Sequence, residues 1–154
     1  MRSTLLSASD LVVSSPLTRA LQTASIVFSS QIADSNVPTL VLEGCRERFG
    51  RQNPDARRRA SEVSVRFPRF DLSRLSEEDV LHGETRETLA QLSIRAAAFV
   101  SELLALPHSN VAVVSHSGFL AALFNVAADC ADASELRDWF ETAEMRAVHL
   151  EAPG

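Results

Sequence analysis

His116 follows an apolar run, Val111 to Val114, that reads as a buried strand, and precedes Phe119 to Ala127, which reads as a helix. A histidine at the carboxyl end of a parallel strand, beside the amino terminus of the next helix, stands where open α/β sheets keep ligand chemistry. The helix end offers unpaired N–H groups and a partial positive charge, so a phosphate is a natural guest. A second segment repeats the plan, with the apolar stretch Asp10 to Ser14 leading into Ser15-Pro16-Leu17-Thr18-Arg19. Arg19 falls early in the following helix, where a cation opposes the helix dipole by roughly a few tenths of a kcal/mol. An anionic ligand there removes the conflict. The chemistry suggested is a guanidinium and an imidazole gathered around one phosphoryl group.

These residues need a scaffold, and the pattern supplies one. The expected strands are Asp10 to Ser14, Val37 to Leu42, the Val111 run and Arg146 to Leu150. The first is apolar in succession rather than alternation, as expected when helices cover both faces of a sheet. Expected helices run from Leu17 to about Ser30, from Glu84 to Leu106, and over Ala133 to Trp139. In the first of these Leu17, Leu21, Ala24, Ile26 and Val27 gather mainly on one side, and in the second Leu89, Leu92, Ala96, Phe99, Val100 and Leu103 recur at helical spacing. Strands alternating with helices predict an α/β domain, three-layer α/β/α with a mainly parallel sheet. From Gly44 to Gly83 the periodicity fails, and the segment reads as an irregular cap insertion.

All 15 basic residues are arginine, so lysine-based covalent catalysis and the Walker lysine are excluded. Residues 46–74 hold nine Arg against four Asp/Glu, whereas residues 75–154 hold four Arg against thirteen Asp/Glu, so the basic stretch is local. Over the whole chain the net charge is -5, which argues against a nucleic-acid partner. The sequence has no apolar run of the length a membrane span needs, and Asp10 interrupts the early apolar stretch. Cys45 and Cys130 are far apart and outside any metal-ligand spacing, so they read as reduced thiols in a cytoplasmic protein.

The Ser15 to Ala24 segment and Val113-Val114-Ser115-His116-Ser117-Gly118-Phe119-Leu120 together resemble the histidine phosphatase (phosphoglycerate mutase-like) superfamily. Gly44-Cys45-Arg46-Glu47-Arg48-Phe49-Gly50 is similar to the segment that supplies that family's general acid. Arg46-Glu47, Arg57-Arg58, Ser61-Glu62, Phe67-Pro68 and Asp71-Leu72-Ser73 resemble the eukaryotic (plant and fungal) phosphoglycerate mutase-like proteins in particular, as does Phe140 through Arg146. His82 stands where those proteins have tryptophan, and takes no catalytic role.

The resemblance implies a phosphoglycerate mutase-like fold and phosphomonoester hydrolysis or transfer through a phosphohistidine, without metal or cofactor. It implies that Arg19, His116 and Ser117 bind the phosphoryl group, His116 also stabilising charge in the transition state. Glu47 is the candidate general acid, with Glu43 the alternative. Two arginines flank Glu47 and favour its ionised form, so an acid there needs burial or a bound phosphate to hold its proton. Arg57 and Arg58 reach either a second anionic group of the substrate or solvent.

No Arg-His-Gly occurs in the sequence, although in the family an amino-terminal Arg-His-Gly loop carries the nucleophile. The chain therefore reads as one amino-terminally incomplete domain, 1–154, lacking the family's first strand. Losing an interior strand leaves either a gap of about twice the usual strand spacing or direct pairing of its former neighbours. Two functional readings follow: a phosphatase domain whose sequence starts late and is inactive as it stands, or a non-catalytic phosphate-binding module. A structural α/β domain without a ligand is the third. The expected partner is a small phosphorylated molecule.

Overall fold

The computed structural model describes residues 9–34, 37–50, 53–127 and 134–151. Three strands form one parallel sheet in the order β2-β1-β3, with β1 Leu11–Ser14, β2 Thr39–Val41 and β3 Val111–Val114. Val13 pairs with Leu40 on one side and with Val113 on the other. β1 is therefore central, and β1 and β3 pair directly rather than flanking a gap. The chain leaves β1 for β2 on one side and later returns to β3 on the other. That reversal creates a crevice at the carboxyl ends of the strands.

Alternation along the strands builds two cores. Leu11, Val13, Leu40 and Leu42 pack with Leu92, Ala96, Phe99 and Phe119 on one face. Val12 and Val41 pack with Leu21, Ala24, Phe28, Ile32, Val63 and Phe70 on the other. The first core lies under α4 (Leu89–Leu104) and α5 (Ser117–Ala122). The second lies under α1 (Thr18–Val27), α2 (Ser29–Ala33) and α3 (Ala60–Arg66). The result is the expected three-layer α/β arrangement. A last helix, α6, covers Ser134–Arg137.

Several boundaries differ from the sequence reading, each for a physical reason. The first helix breaks at Phe28, whose ring is buried, and Ile26 and Val27 face outward at 75% and 40% exposure. The long helix starts at Leu89 rather than Glu84. Thr88 and Gln91 close a reciprocal capping box, Thr88 Oγ1 accepting from Gln91 N at 3.2 Å and Gln91 Oε1 from Thr88 N at 2.9 Å. Leu89, in the helix's first position, is consequently exposed. The helix after His116 begins two residues early, at Ser117, and gives way to a π turn over Leu123–Ala127.

The β3 strand is half-buried along its length, not fully buried, because it forms an edge of the described sheet. Residues 146–150 carry no strand ladder, so the fourth strand expected there is absent from the described sheet. The 44–83 segment is less irregular than its composition suggests. It holds 3-10 turns at Glu43–Cys45 and Asn53–Asp55, the α3 helix, and Asp71, which bridges to Leu40 beside β2. Cys130 lies outside the described residues.

Candidate active site

The carboxyl end of β1 runs straight into Ser15, whose backbone N–H donates to Val114 O at 3.0 Å and so ties it to β3. Leu17 caps α1, placing Arg19 in its first turn with no acidic neighbour there. The carboxyl end of β3 delivers His116, which is the N-cap of α5. The parallel pairing of β1 with β3 thus brings together residues 97 positions apart: Arg19 Nε lies 3.2 Å from His116 Nδ1. On the other side of the ring, His116 Nε2 lies 2.8 Å from Ser15 Oγ.

A guanidinium can only donate, so His116 Nδ1 must present its lone pair to Arg19. The neutral ring then carries its proton on Nε2 and donates it to Ser15 Oγ. Burial, then the positive charge of Arg19, and then those of Arg46 and Arg95, push His116 down to about 3 from 6.5. The imidazole is accordingly neutral at pH 7. Arg19 also donates to Pro54 O at 2.7 Å, and among the described residues it has no carboxylate partner. A phosphate oxygen would supply the missing negative charge to Arg19. It would also favour protonation of His116, since an adjacent opposite charge stabilises the charged form.

Glu47 reaches the same place from the loop after β2. Its carboxylate accepts from Arg48 N at 2.9 Å and from Gly118 N at 3.3 Å, the latter at the start of α5. Gly118 permits this approach, because a Cβ there would stand 2.5 Å from Glu47 Oε1. The flanking guanidinium groups do not crowd the carboxylate as their sequence positions suggest. Arg46 turns to Glu43 and Asp79, and Arg48 Nε donates to Glu87 O at 2.6 Å. Ser117 stands between His116 and Gly118 in the same turn, while Ser115 Oγ donates to Cys45 O at 2.6 Å and pins the Glu47 loop to the His116 loop.

Glu43 and Arg57 are both drawn into ion pairs. Glu43 pairs with Arg46 at 3.2 Å and with Arg57 Nε, so it holds two cations. Arg57 is neither solvated nor free for a substrate. Its Nη2 donates to Ser76 O at 2.7 Å and Glu78 O at 2.8 Å, and its Nη1 to Arg58 O at 2.9 Å. Arg58 is exposed and pairs with Glu62 at 3.4 Å. A cleft of about 460 Å³ opens beside Arg19, lined by Thr18, Gln22, Pro54, Ala56 and the two arginines.

The clamp made by Arg95 and Glu87 escaped the sequence reading. Arg95 lies on α4 and donates to Glu87 through Nε at 2.8 Å and Nη2 at 2.6 Å, and to the carbonyls of Gly44 and Arg46. Glu87 is buried, yet precedes the helix. The eight residues separating the two fit neither a helical nor a strand contact, so no spacing rule marks them.

Among the described residues no group of three or more His, Cys, Asp or Glu could hold a metal, and no helix is long and apolar enough to cross a membrane. Burial pushes the Cys45 thiol up, away from reactivity.

The family model of the histidine phosphatase superfamily (branch 1) matches residues 5–152. Phosphoglycerate mutase-like protein 1 of Arabidopsis thaliana is 36% identical over 142 residues, covering 75% of this chain and 50% of that protein. A second Arabidopsis thaliana relative, a phosphoglycerate mutase-like protein, is 30% identical over 173 residues, covering 94% of this chain and 64% of that protein. The chain thus spans between half and two thirds of the length of these relatives.

Proposed function

Because the chain belongs to the histidine phosphatase superfamily, we propose that the crevice between β1 and β3 binds the phosphoryl group of a small phosphomonoester. The observation that carries this reading is the contact of Arg19 with His116, a cation without a carboxylate partner held against a neutral imidazole. Arg19 and the N–H group of Ser117 bind the phosphoryl oxygens, the Gly118 N–H being taken by Glu47. His116, whose protonated form the arriving dianion favours by its charge as the ring takes a proton from solvent, stabilises the charge that grows on those oxygens. The cleft beside Arg19 takes the remainder of the substrate. A net charge of -5 disfavours nucleic acid as that substrate, and a cytoplasmic small molecule fits it best.

In the proposed reaction a histidine nitrogen attacks phosphorus as the bond to the leaving oxygen breaks, and Glu47 gives that oxygen its proton. Water then attacks the phosphohistidine, returning a proton to Glu47 and releasing inorganic phosphate. No metal or cofactor takes part. The attacking histidine belongs to an Arg-His-Gly segment in this family, and the 154 residues contain none. His116 does not replace it, since both ring nitrogens are engaged by Arg19 and Ser15.

The 154-residue chain is therefore expected to bind inorganic phosphate or vanadate weakly while hydrolysing p-nitrophenyl phosphate at no more than a trace rate. Loss of a nucleophile costs several orders of magnitude, and electrostatic stabilisation alone leaves a residue of activity. An in-frame amino-terminal extension carrying a strand and Arg-His-Gly should restore turnover, which His116→Ala should then largely abolish. Robust hydrolysis by the unextended chain would mean that another residue attacks. Phosphate binding without restored turnover would favour a binding module.

A further inference from the structure

Glu47 sits in residues 46–49, which form neither helix nor strand, so no ladder fixes its backbone. One guanidinium does so instead. Arg95 Nη1 donates to Gly44 O at 2.9 Å and to Arg46 O at 2.7 Å, and Nη2 lies 3.4 Å from Glu47 O. Its other edge is taken by the Glu87 carboxylate, and its Cζ lies over two rings, 5.4 Å from the centre of Phe49 and 5.3 Å from that of Phe119. Glu87 is anchored in turn, its backbone N–H donating to Phe49 O at 2.9 Å. Arg95 stands on α4, the longest helix among the described residues, between the buried Leu92 and Ala96. The loop is thus held from a rigid element through donors in a fixed plane, a geometry that lysine, a point charge on a flexible stem, cannot copy.

We infer that Arg95, held by Glu87, is the positioning residue for Glu47: it sets the 44–47 backbone so that the Glu47 carboxylate stands against Gly118 N–H, beside His116. This rests on the role of Glu47 proposed above. The approach at Gly118 is close, a Cβ there standing 2.5 Å from Glu47 Oε1, and the hydrogen bond itself is a long 3.3 Å. A small drift of residues 46–47 would therefore break the contact.

The test uses the 154-residue chain and the Gly118 amide signal as reporter of the docked carboxylate. In the parent that amide should shift as Glu47 ionises, and Glu47→Gln should remove the shift. Arg95→Lys should remove it too while the amides of β1, β3 and the Thr88 cap keep their positions. A paired Arg95→Leu, Glu87→Leu variant removes both buried charges together, so it serves if the lysine variant fails to fold. It should lose the Gly118 response in the same way. A Gly118 titration that survives in either folded variant overturns the positioning role, as does its absence from the parent. Inorganic phosphate, added separately to the parent, should shift Ser117 and His116. If it does not, while the Arg95 effect holds, the phosphate reading fails and the clamp on Glu47 stands.

Discussion

Arg46 and Arg57 in the 44–83 segment and Arg19 at the crevice are the same residue type in opposite circumstances. Arg46 is fully buried, and its terminal nitrogens meet Asp79 at 2.6 and 2.7 Å and Glu43 at 3.2 Å. Only its Nε lacks an acceptor among the described residues. Arg57 shares Glu43 and gathers the carbonyls of residues 76–78. Burial works against charge on Asp79, but the Arg46 guanidinium and the N–H groups of Arg57 and His82 hold its carboxyl well below the usual range. Arg19 is exposed and rests against a neutral ring and one carbonyl. A cation whose charge is already matched builds structure, and one left unmatched beside a crevice is equipped to bind. Composition counts both alike.

The largest effect should separate the two regions. Arg46→Met leaves the Asp79 carboxylate without its cation and Glu43 with Arg57 alone, and breaking a buried pair in this way costs about 3–5 kcal/mol. Denaturant unfolding measures it, and a loss below about 1 kcal/mol would return Arg46 to the surface class. Arg19→Ala should do the converse. Phosphate affinity should fall by the worth of a charged hydrogen bond, about 1.5–3 kcal/mol, while stability stays within about 0.5 kcal/mol of the parent. Titration calorimetry and unfolding on the same sample would show whether the two separate.

Acid sharpens the contrast further. Between about 6.5 and about 3 the unfolded chain binds a proton on His116 that the folded chain refuses. Stability should therefore fall as pH drops through that window, with a slope approaching about 1.4 kcal/mol per pH unit. Asp79 contributes stability that is lost only at lower pH, as its own carboxylate protonates, so from pH 6.5 to 5 the pocket weakens and the Arg46 network does not. Unfolding of His116→Gln across this range should be flatter than that of the parent. An unchanged slope would show that the folded ring accepts its proton normally. The smallest effect belongs to Arg58, whose exposed pairing with Glu62 should be worth less than about 0.5 kcal/mol, so Arg58→Ala should barely move the melting temperature.

Much of the scaffold was legible because it rests on local rules. The runs Leu11 to Val13 and Val111 to Val114 announced parallel strands, and both formed within a residue of their expected limits. The start of α4 was misplaced because Glu84 to Glu87 have good helix-forming residues among them, and the Thr88–Gln91 box overrides that preference. Ile26 and Val27 were assigned to the buried side although the helix ends at Val27, where a face is poorly defined by period. The Arg146 to Leu150 strand was read from an apolar pattern, but a strand needs a neighbour, and none pairs with it among the described residues.

By itself the sequence determined the α/β layering, the strand ends that carry Arg19 and His116, and that every basic residue among the 154 is arginine. Those depend on hydrophobic period and residue type, which are properties of a few consecutive positions. The tertiary structure decided which arginines are spent on ion pairs and that Arg19 is left without a carboxylate partner among the described residues. It also decided that Glu43 is a counter-ion while Glu47 faces Gly118, and that Arg95 holds the loop between them. These depend on which groups become neighbours across the 33 positions from Arg46 to Asp79, the 51 from Gly44 to Arg95 or the 71 from Glu47 to Gly118, distances along the chain that no local pattern spans. The energy of a charge is fixed by its surroundings after folding, so its role could not be read before them.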